Sequence, residues 1–160
     1  MRRLLLASLA LLALGIEASA SAQSPDRIVT LRQGDNEMAA AQAKARASLP
    51  EFWKKFASPA PNEERFMLKV MMPYGTNNVE HIWVCQLDRK DGMIRATVGN
   101  TPKNVTYVKF GQRIEFDETQ VSDWMYRRDG KIVGNFTMRP LLSRMPPAEA
   151  EHYRAMLADP

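Results

Sequence analysis

The hydrophobic pattern changes period once along the chain, and that change limits what the chain can build. Met38, Ala41, Ala45, Leu49, Phe52 and Phe56 recur at spacings of three or four, one apolar stripe of helical period. Lys44, Arg46, Lys54 and Lys55 fall off the stripe. Beyond Ser58-Pro59-Ala60-Pro61-Asn62 the period drops to two. Phe66, Leu68, Val70 and Met72 share one face of a strand, with Arg65 and Lys69 on the other. A pattern of period 3.6 cannot bury its apolar side in a sheet, nor one of period 2 on a helix. Helices therefore come first and strands follow.

Local signals sharpen the elements. Asp35-Asn36 is a good N-cap pair. Pro50 interrupts the stripe, and Ser48-Leu49-Pro50-Glu51 has the spacing of a capping box, so a kink or a fresh helix is expected there. The stripe itself is read as core. Residues 73–78 read as a loop. Residues 79–87 are apolar on both faces and belong in the centre of a sheet, and Lys90-Asp91-Gly92 turns the chain into a returning strand over 93–98. Residues 99–104 are irregular, 105–110 fit either a short strand or a helical turn, and 113–116 alternate again. Arg128-Asp129-Gly130 joins 121–127 and 131–138 as a hairpin. Pro146-Pro147 opens a short helix that turns Ala150, Tyr153, Met156 and Leu157 inward. The order predicts an α+β fold: an antiparallel sheet of five or six strands, with N-terminal helices kinked near Pro50 and a short C-terminal helix packed on it.

The first residues carry a different signal. Arg2 and Arg3 precede an apolar run of 13 residues, 4–16, and Ala20-Ser21-Ala22 or Ala18-Ser19-Ala20 gives a small-x-small cleavage pattern. This reads as a secretory signal peptide over 1–22. A flexible lead-in over 23–34 and one domain over 35–158 would follow. The run is short of the roughly 20 residues that cross a bilayer, so no membrane span is expected after cleavage. General secretion to the periplasm or beyond is the destination. Losing two Arg and one Glu with the signal lowers the net charge from +4 to +3. Basic residues are interleaved with acids, which gives no case for nucleic acid. Cys85 stands alone, cannot form an internal disulfide, and reads as a small buried hydrophobe.

Candidate chemistry is sparse. The chain has no Gly-rich phosphate loop, no His/Cys metal cluster and no Gly-x-Ser-x-Gly turn, and no cofactor or metal is expected. Glu80 and His81 would point to opposite faces of a strand and could not share a metal. His81, on the face of Trp83, reads as a hydrogen-bonded imidazole, with an acid–base role as the alternative. His152 is the other histidine. Asp117-Glu118 and Asp123 could form the paired carboxylates of a hydrolase, although the first pair falls where alternation stops, in an expected turn where acids are solvated or cap backbone. Ser122-Asp123 has no histidine nearby in sequence. The densest cluster is Asp123-Trp124-Met125-Tyr126-Arg127, with Trp124 and Tyr126 on one face. These two are either core under the N-terminal helices or part of a partner-binding surface with Arg127, Arg128, Arg139, His81 and Trp83. The glycosylation triplets at Asn104 and Asn135 are read as chance.

Several motifs together carry a resemblance. They are Val79-Glu80-His81-Ile82-Trp83, then Asn100-x-Pro102-x-x-Val105-x-x-Val108-Lys109-x-Gly111-Gln112, then Ser122-Asp123-Trp124-Met125-Tyr126, then Gly130-Lys131-x-x-Gly134-Asn135-Phe136-Thr137-x-Arg139. They resemble the YegJ-like family, a widespread bacterial domain of unknown function. The likeness also takes in residues 38–53 and Arg144-Met145-Pro146-Pro147, so it covers roughly residues 36–150. It implies a compact α+β domain and brings no established catalytic residue or cofactor, so no site is carried over. Gly111, Gly130 and Gly134 would suit special backbone angles or close strand approach.

Three functional classes remain. The first is a non-enzymatic periplasmic module, of inhibitor or immunity type, that binds another periplasmic protein. The second is an envelope hydrolase using His81 or Glu80 with Asp117, Glu118 or Asp123. The third is a self-associating structural envelope protein, and the sequence fixes no oligomeric state. The leader reading makes one direct prediction. Protein recovered from a periplasmic fraction should begin at Ser21 or Gln23 by N-terminal sequencing, and an intact Met1 start in that fraction would contradict it.

Overall fold

The computed structural model describes residues 35–158; the expected signal peptide and lead-in lie outside the described residues. Helix α1 (Asn36–Ala47) starts where the sequence indicates, with the Asp35 side chain accepting from the Met38 N–H at 3.0 Å. Helix α2 (Leu49–Ala57) follows at once, with Pro50 in its first turn, where a missing N–H costs nothing. The expected capping box does not form. Ser48 Oγ turns back to the carbonyls of Lys44 and Ala45, at 2.8 and 3.1 Å. The stripe buries Met38, Ala45, Leu49 and Phe52, and α2 adds Trp53 beside it.

Six strands form one antiparallel sheet: β1 (Glu63–Tyr74), β2 (Asn78–Lys90), β3 (Met93–Val98), β4 (Arg113–Asp117), β5 (Val121–Arg128) and β6 (Lys131–Gly134). Their order is β4-β3-β2-β1-β5-β6, so β2 is central, as its two apolar faces require. The loop expected over 73–78 is shorter than predicted, because pairing runs out to Tyr74 opposite Asn78. Residues 105–110 are neither strand nor helix.

The connection from β4 to β5 determines the shape. It runs from Asp117 to Val121 through a single 3₁₀ turn, Glu118–Gln120. Four residues reach at most about 14 Å, yet a flat sheet would put β4 and β5 four spacings apart, roughly 19 Å. The sheet must therefore coil. Bulges supply the bend: pairing shifts register between Glu64 and Met67 on β1 and between Cys85 and Asp88 on β2. Arg65 and Gln86 sit at these shifts with φ of +54° and +52°. Where β1 and β2 part, α2 closes the opening. Trp53 Nε1 donates to Glu118 at 2.9 Å, Arg89 pairs with the same carboxylate at 2.8 Å, and the Arg89 guanidinium lies 4.8 Å from the Trp53 ring centre.

Inside this curl one core gathers Phe52, Leu68, Val70, Ile82, Val84, Ile94, Phe116 and Trp124. Phe66 and Tyr126 stack at 4.9 Å, and Trp124 Nε1 donates at 3.0 Å to the Ala45 carbonyl, one of the groups a helix end leaves without a partner. The chain then departs from the predicted second hairpin arm. Strand β6 stops at Gly134 instead of reaching 138, and Asn135 takes a left-handed conformation before a 3₁₀ turn, Phe136–Met138. A short α3 (Arg139–Leu142) and α4 (Pro147–Met156) complete the order, with Ala150 and Leu157 buried. Leu157 bridges Ile132, and the Ala158 N–H donates to the Ile132 carbonyl at 2.8 Å, covering the β6 edge.

Gly134 is required twice over. Its φ is +82°, and a Cβ there would lie 2.4 Å from the Trp124 carbonyl oxygen and 2.6 Å from its ring. Gly134→Ala should therefore cost about 3 kcal/mol or more in urea unfolding, while Gly130→Ala, where a Cβ meets nothing within 4 Å, should cost about 1 kcal/mol through backbone strain alone. Equal costs at the two positions would contradict the close approach of β6 to Trp124.

Candidate functional site

Cross-strand register sorts the candidate residues onto two faces. Leu68 pairs with Val84 and Trp124 on the core face. Lys69 pairs with Trp83 and Asp123, Met71 with His81, and Met67 with Met125, so these seven share the outer face of β1, β2 and β5. Asp123 on this face is fully buried, whereas Met67, Lys69, Met71, His81, Trp83 and Met125 are half-buried. Lys69 Nζ lies 4.5 Å above the Trp83 ring centre and donates to Thr137 Oγ1 at 2.7 Å. Cys85 continues this face and is half-buried, more open than the buried hydrophobe expected. Beside an apolar run, alternation still puts every second residue outside.

The candidate carboxylates each have a structural task. Asp123 accepts from the N–H groups of Trp124, Phe136 and Thr137 and from Thr137 Oγ1, at 2.6 to 3.1 Å. That set holds the turn that ends β6. Glu80, buried on the core face, accepts from the N–H groups of Lys103, Asn104 and Val105 at 2.7, 2.7 and 2.9 Å. Burial pushes its pKa up, but these three donors outweigh it and hold the carboxyl below the ordinary value. Asp117 caps the Glu118–Gln120 turn, and its bonds to Thr119 lower its pKa. Glu118 joins Trp53 and Arg89, as above. Among the described residues the hydrogen bonds join none of these four acids to another, and each is engaged with backbone donors or with Trp53 and Arg89.

The structure also makes a pair that sequence order hides. His81 Nδ1 lies 2.8 Å from Ser122 Oγ, which also meets the Lys69 carbonyl at 3.1 Å. The two are 41 positions apart, and no local pattern links them. Ser122 is fully buried at a register shift in β5, so its hydroxyl is closed to a substrate and orients the imidazole instead. Burial, then the charges of Lys69 and Arg46, lower the His81 pKa to about 4.

Trp124 and Tyr126 leave the candidate surface. Both are buried and stacked on each other, with Phe66 stacked on Tyr126 and Phe52 tilted against Trp124. The same alternation fits core or surface, and packing under α2 decides for core. Arg128 is tied to Glu63 at 2.8 Å and to the Tyr126 hydroxyl, and Arg139 donates to the Ala158 carbonyl at 3.0 Å. Arg127, by alternation with Met125, stays on the outer face. His152 is exposed on α4 against Tyr153. Among the described residues no group of three His, Cys, Asp or Glu side chains could hold a metal ion, and no helix is long and apolar enough to cross a membrane.

The His81 shift has a defined sign. A histidine whose folded pKa lies below its unfolded 6.5 is protonated first in the unfolded chain, so stability is full above pH 6.5 and falls as pH drops toward 4. Urea unfolding should therefore lose about 2 kcal/mol between pH 7 and pH 5, and His81→Gln should flatten that slope. A stability independent of pH over this window would contradict an imidazole held neutral in the fold.

A family model described as "Uncharacterized protein conserved in bacteria (DUF2314)" matches residues 35–158. The chain is also 40% identical over 78 residues to "Uncharacterized protein YegJ" of Escherichia coli (strain K12). That match takes in 49% of this chain and 51% of the other, so the chain spans about half the length of the curated relative it matches. No solved structure matches.

Proposed function

The chain belongs to the DUF2314 family of conserved bacterial proteins, and for this chain we propose an exported, non-enzymatic module that binds another envelope protein through the outer face of its sheet. The observation that carries this reading is the surface formed by Trp83, Met67, Met71 and Met125 on paired strands, all half-buried, with Lys69 set among them over the Trp83 ring and His81 and Arg127 beside them. Tryptophan, methionine and arginine are the residue types that binding interfaces favour. Thioether chains adapt to a partner's shape, while a strand scaffold holds their positions. Partner contact on this scale needs roughly 800 Å² per side, which one face of a six-stranded sheet can offer.

Export rests on the leader pattern of Arg2, Arg3, the apolar run and Ala20-Ser21-Ala22. The hydrolase reading lacks a comparable observation, since its acids are committed to backbone donors and to Arg89. The test places a photo-crosslinking residue at Met71 and isolates adducts from periplasm. One protein should be recovered in stoichiometric yield, and Trp83→Ala should weaken its binding at least about tenfold while the variant still melts as a folded protein. Recovery of no defined adduct, or binding indifferent to Trp83, would remove the outer face as the binding surface.

A further inference from the structure

The segment between β3 and β4, residues 99–112, has no regular structure but is held at many points. Glu80 grips the N–H groups of Lys103, Asn104 and Val105. Val105 and Val108 are buried beneath it. The Tyr107 hydroxyl donates to the Pro73 carbonyl at 2.9 Å, Gln112 Oε1 accepts from the Lys109 N–H, and the Gly111 N–H reaches the Val98 carbonyl at 2.9 Å. A segment so constrained would be expected to hide its large apolar side chains. It does the reverse: Tyr107 is 56% exposed and Phe110 is 63% exposed, the two highest values among the large hydrophobics of the described residues. Val79, opposite Pro73 on the adjoining hairpin, is exposed as well.

Charge on this segment is one-sided. No acid occurs between Asp91 and Glu115, while Arg95, Lys103, Lys109 and Arg113 do; of these Arg95 is paired with Glu115. Lys109 and Arg113 are exposed, and Arg113 Nη1 donates to the Gln86 carbonyl at 2.8 Å, leaving its other guanidinium N–H groups for a further acceptor. The carboxylate beneath the segment, Glu80, is buried and turned toward backbone donors.

We propose that residues 99–112 form a membrane-surface contact, in which Tyr107 and Phe110 enter the headgroup layer of an anionic phospholipid bilayer while Lys109 and Arg113 meet its phosphates. Aromatic rings flanked by cations are the pattern that anchors proteins at that boundary. A bilayer needs no matching shape, which suits two separate aromatic side chains on a loop better than a folded partner would. The loop is set before contact, so little ordering accompanies binding. This surface is separate from the outer face of β1, β2 and β5, and the inference does not rest on partner binding there.

The probe is co-sedimentation of the purified chain with vesicles of phosphatidylglycerol and phosphatidylcholine, against phosphatidylcholine alone. All variants carry the same N-terminus, so residues 4–16 contribute equally to each. Wild type should bind the anionic vesicles roughly tenfold more tightly, with the preference lost at high salt. Phe110→Ser and the pair Lys109→Glu/Arg113→Glu should each lower that binding at least fivefold. Trp83→Ala should leave it unchanged, which keeps this surface distinct from the protein-binding face. Thermal melts confirm folding, and Phe110→Ser removes only an exposed ring. Equal binding to both vesicle types, binding indifferent to Phe110, or a protein ligand that needs Phe110 when vesicles do not bind, would each overturn the proposal.

Discussion

The four-residue passage from Asp117 to Val121 is the constraint on which the rest of the molecule depends. A chain that must leave the β4 edge and enter beside β1 in so short a span cannot keep a flat sheet. The bulges at Arg65 and Gln86 follow from it, and so does the unusual backbone there, which a longer connection would have made unnecessary. Coiling also parts β1 from β2 beyond Leu68 and Val84, and α2 covers that gap with Phe52 and Trp53. The contacts of Glu118 with Trp53 and Arg89 are thus a closure: crossover, helix and the far end of β2 meet at one carboxylate.

A second theme is the use of carboxylates in place of regular structure. Glu80 holds a loop, Asp123 a strand ending, and Glu63 the entry to β1, where it accepts from the Ala60 N–H at 3.0 Å and pairs with Lys55 and Arg128. Asp35 caps α1 and pairs with Arg144; that guanidinium first, and the Met38 N–H second, bring its pKa to about 2. Irregular backbone that is buried must find partners for its N–H groups, and an ionised carboxylate can satisfy several at once. The same arrangement occupies the oxygens that general acid–base chemistry would need free.

Much of the fold was legible because it follows from local rules. The period change after Pro61, the Asp35 cap, the turn at Asp91-Gly92 and the hairpin at Asp129-Gly130 all act within a few residues, and the structure has them. What escaped depends on contacts far apart in sequence. Strand β6 ends early because Asp123, from the neighbouring strand, captures the N–H groups of Phe136 and Thr137. Ser48 abandons its capping role beside Trp124, whose indole reaches it at 3.2 Å. Trp124 itself was ambiguous, since alternation says which residues share a face and not which face meets the helices. The acid-free stretch before Glu115 was visible in the sequence, but only the burial of Val105 and Val108 shows that Tyr107 and Phe110 turn outward.

These features share a physical logic. Ordering an irregular segment costs conformational entropy, about 1–2 kcal/mol per residue, whether or not a ligand is present. Where Glu80 and Asp123 hold such segments through buried hydrogen bonds, folding has already met that cost, and a later contact does not meet it again. The loop over 99–112 and the Trp83 face differ in this respect from flexible surface loops, which lose freedom on binding. Single exposed apolar side chains are ordinary on a protein surface, so the two rings gain weight only from the frame that holds them. Of the two, Tyr107 has a structural contact, its hydroxyl on the Pro73 carbonyl, whereas the Phe110 ring is the more exposed and has the smaller share in stability.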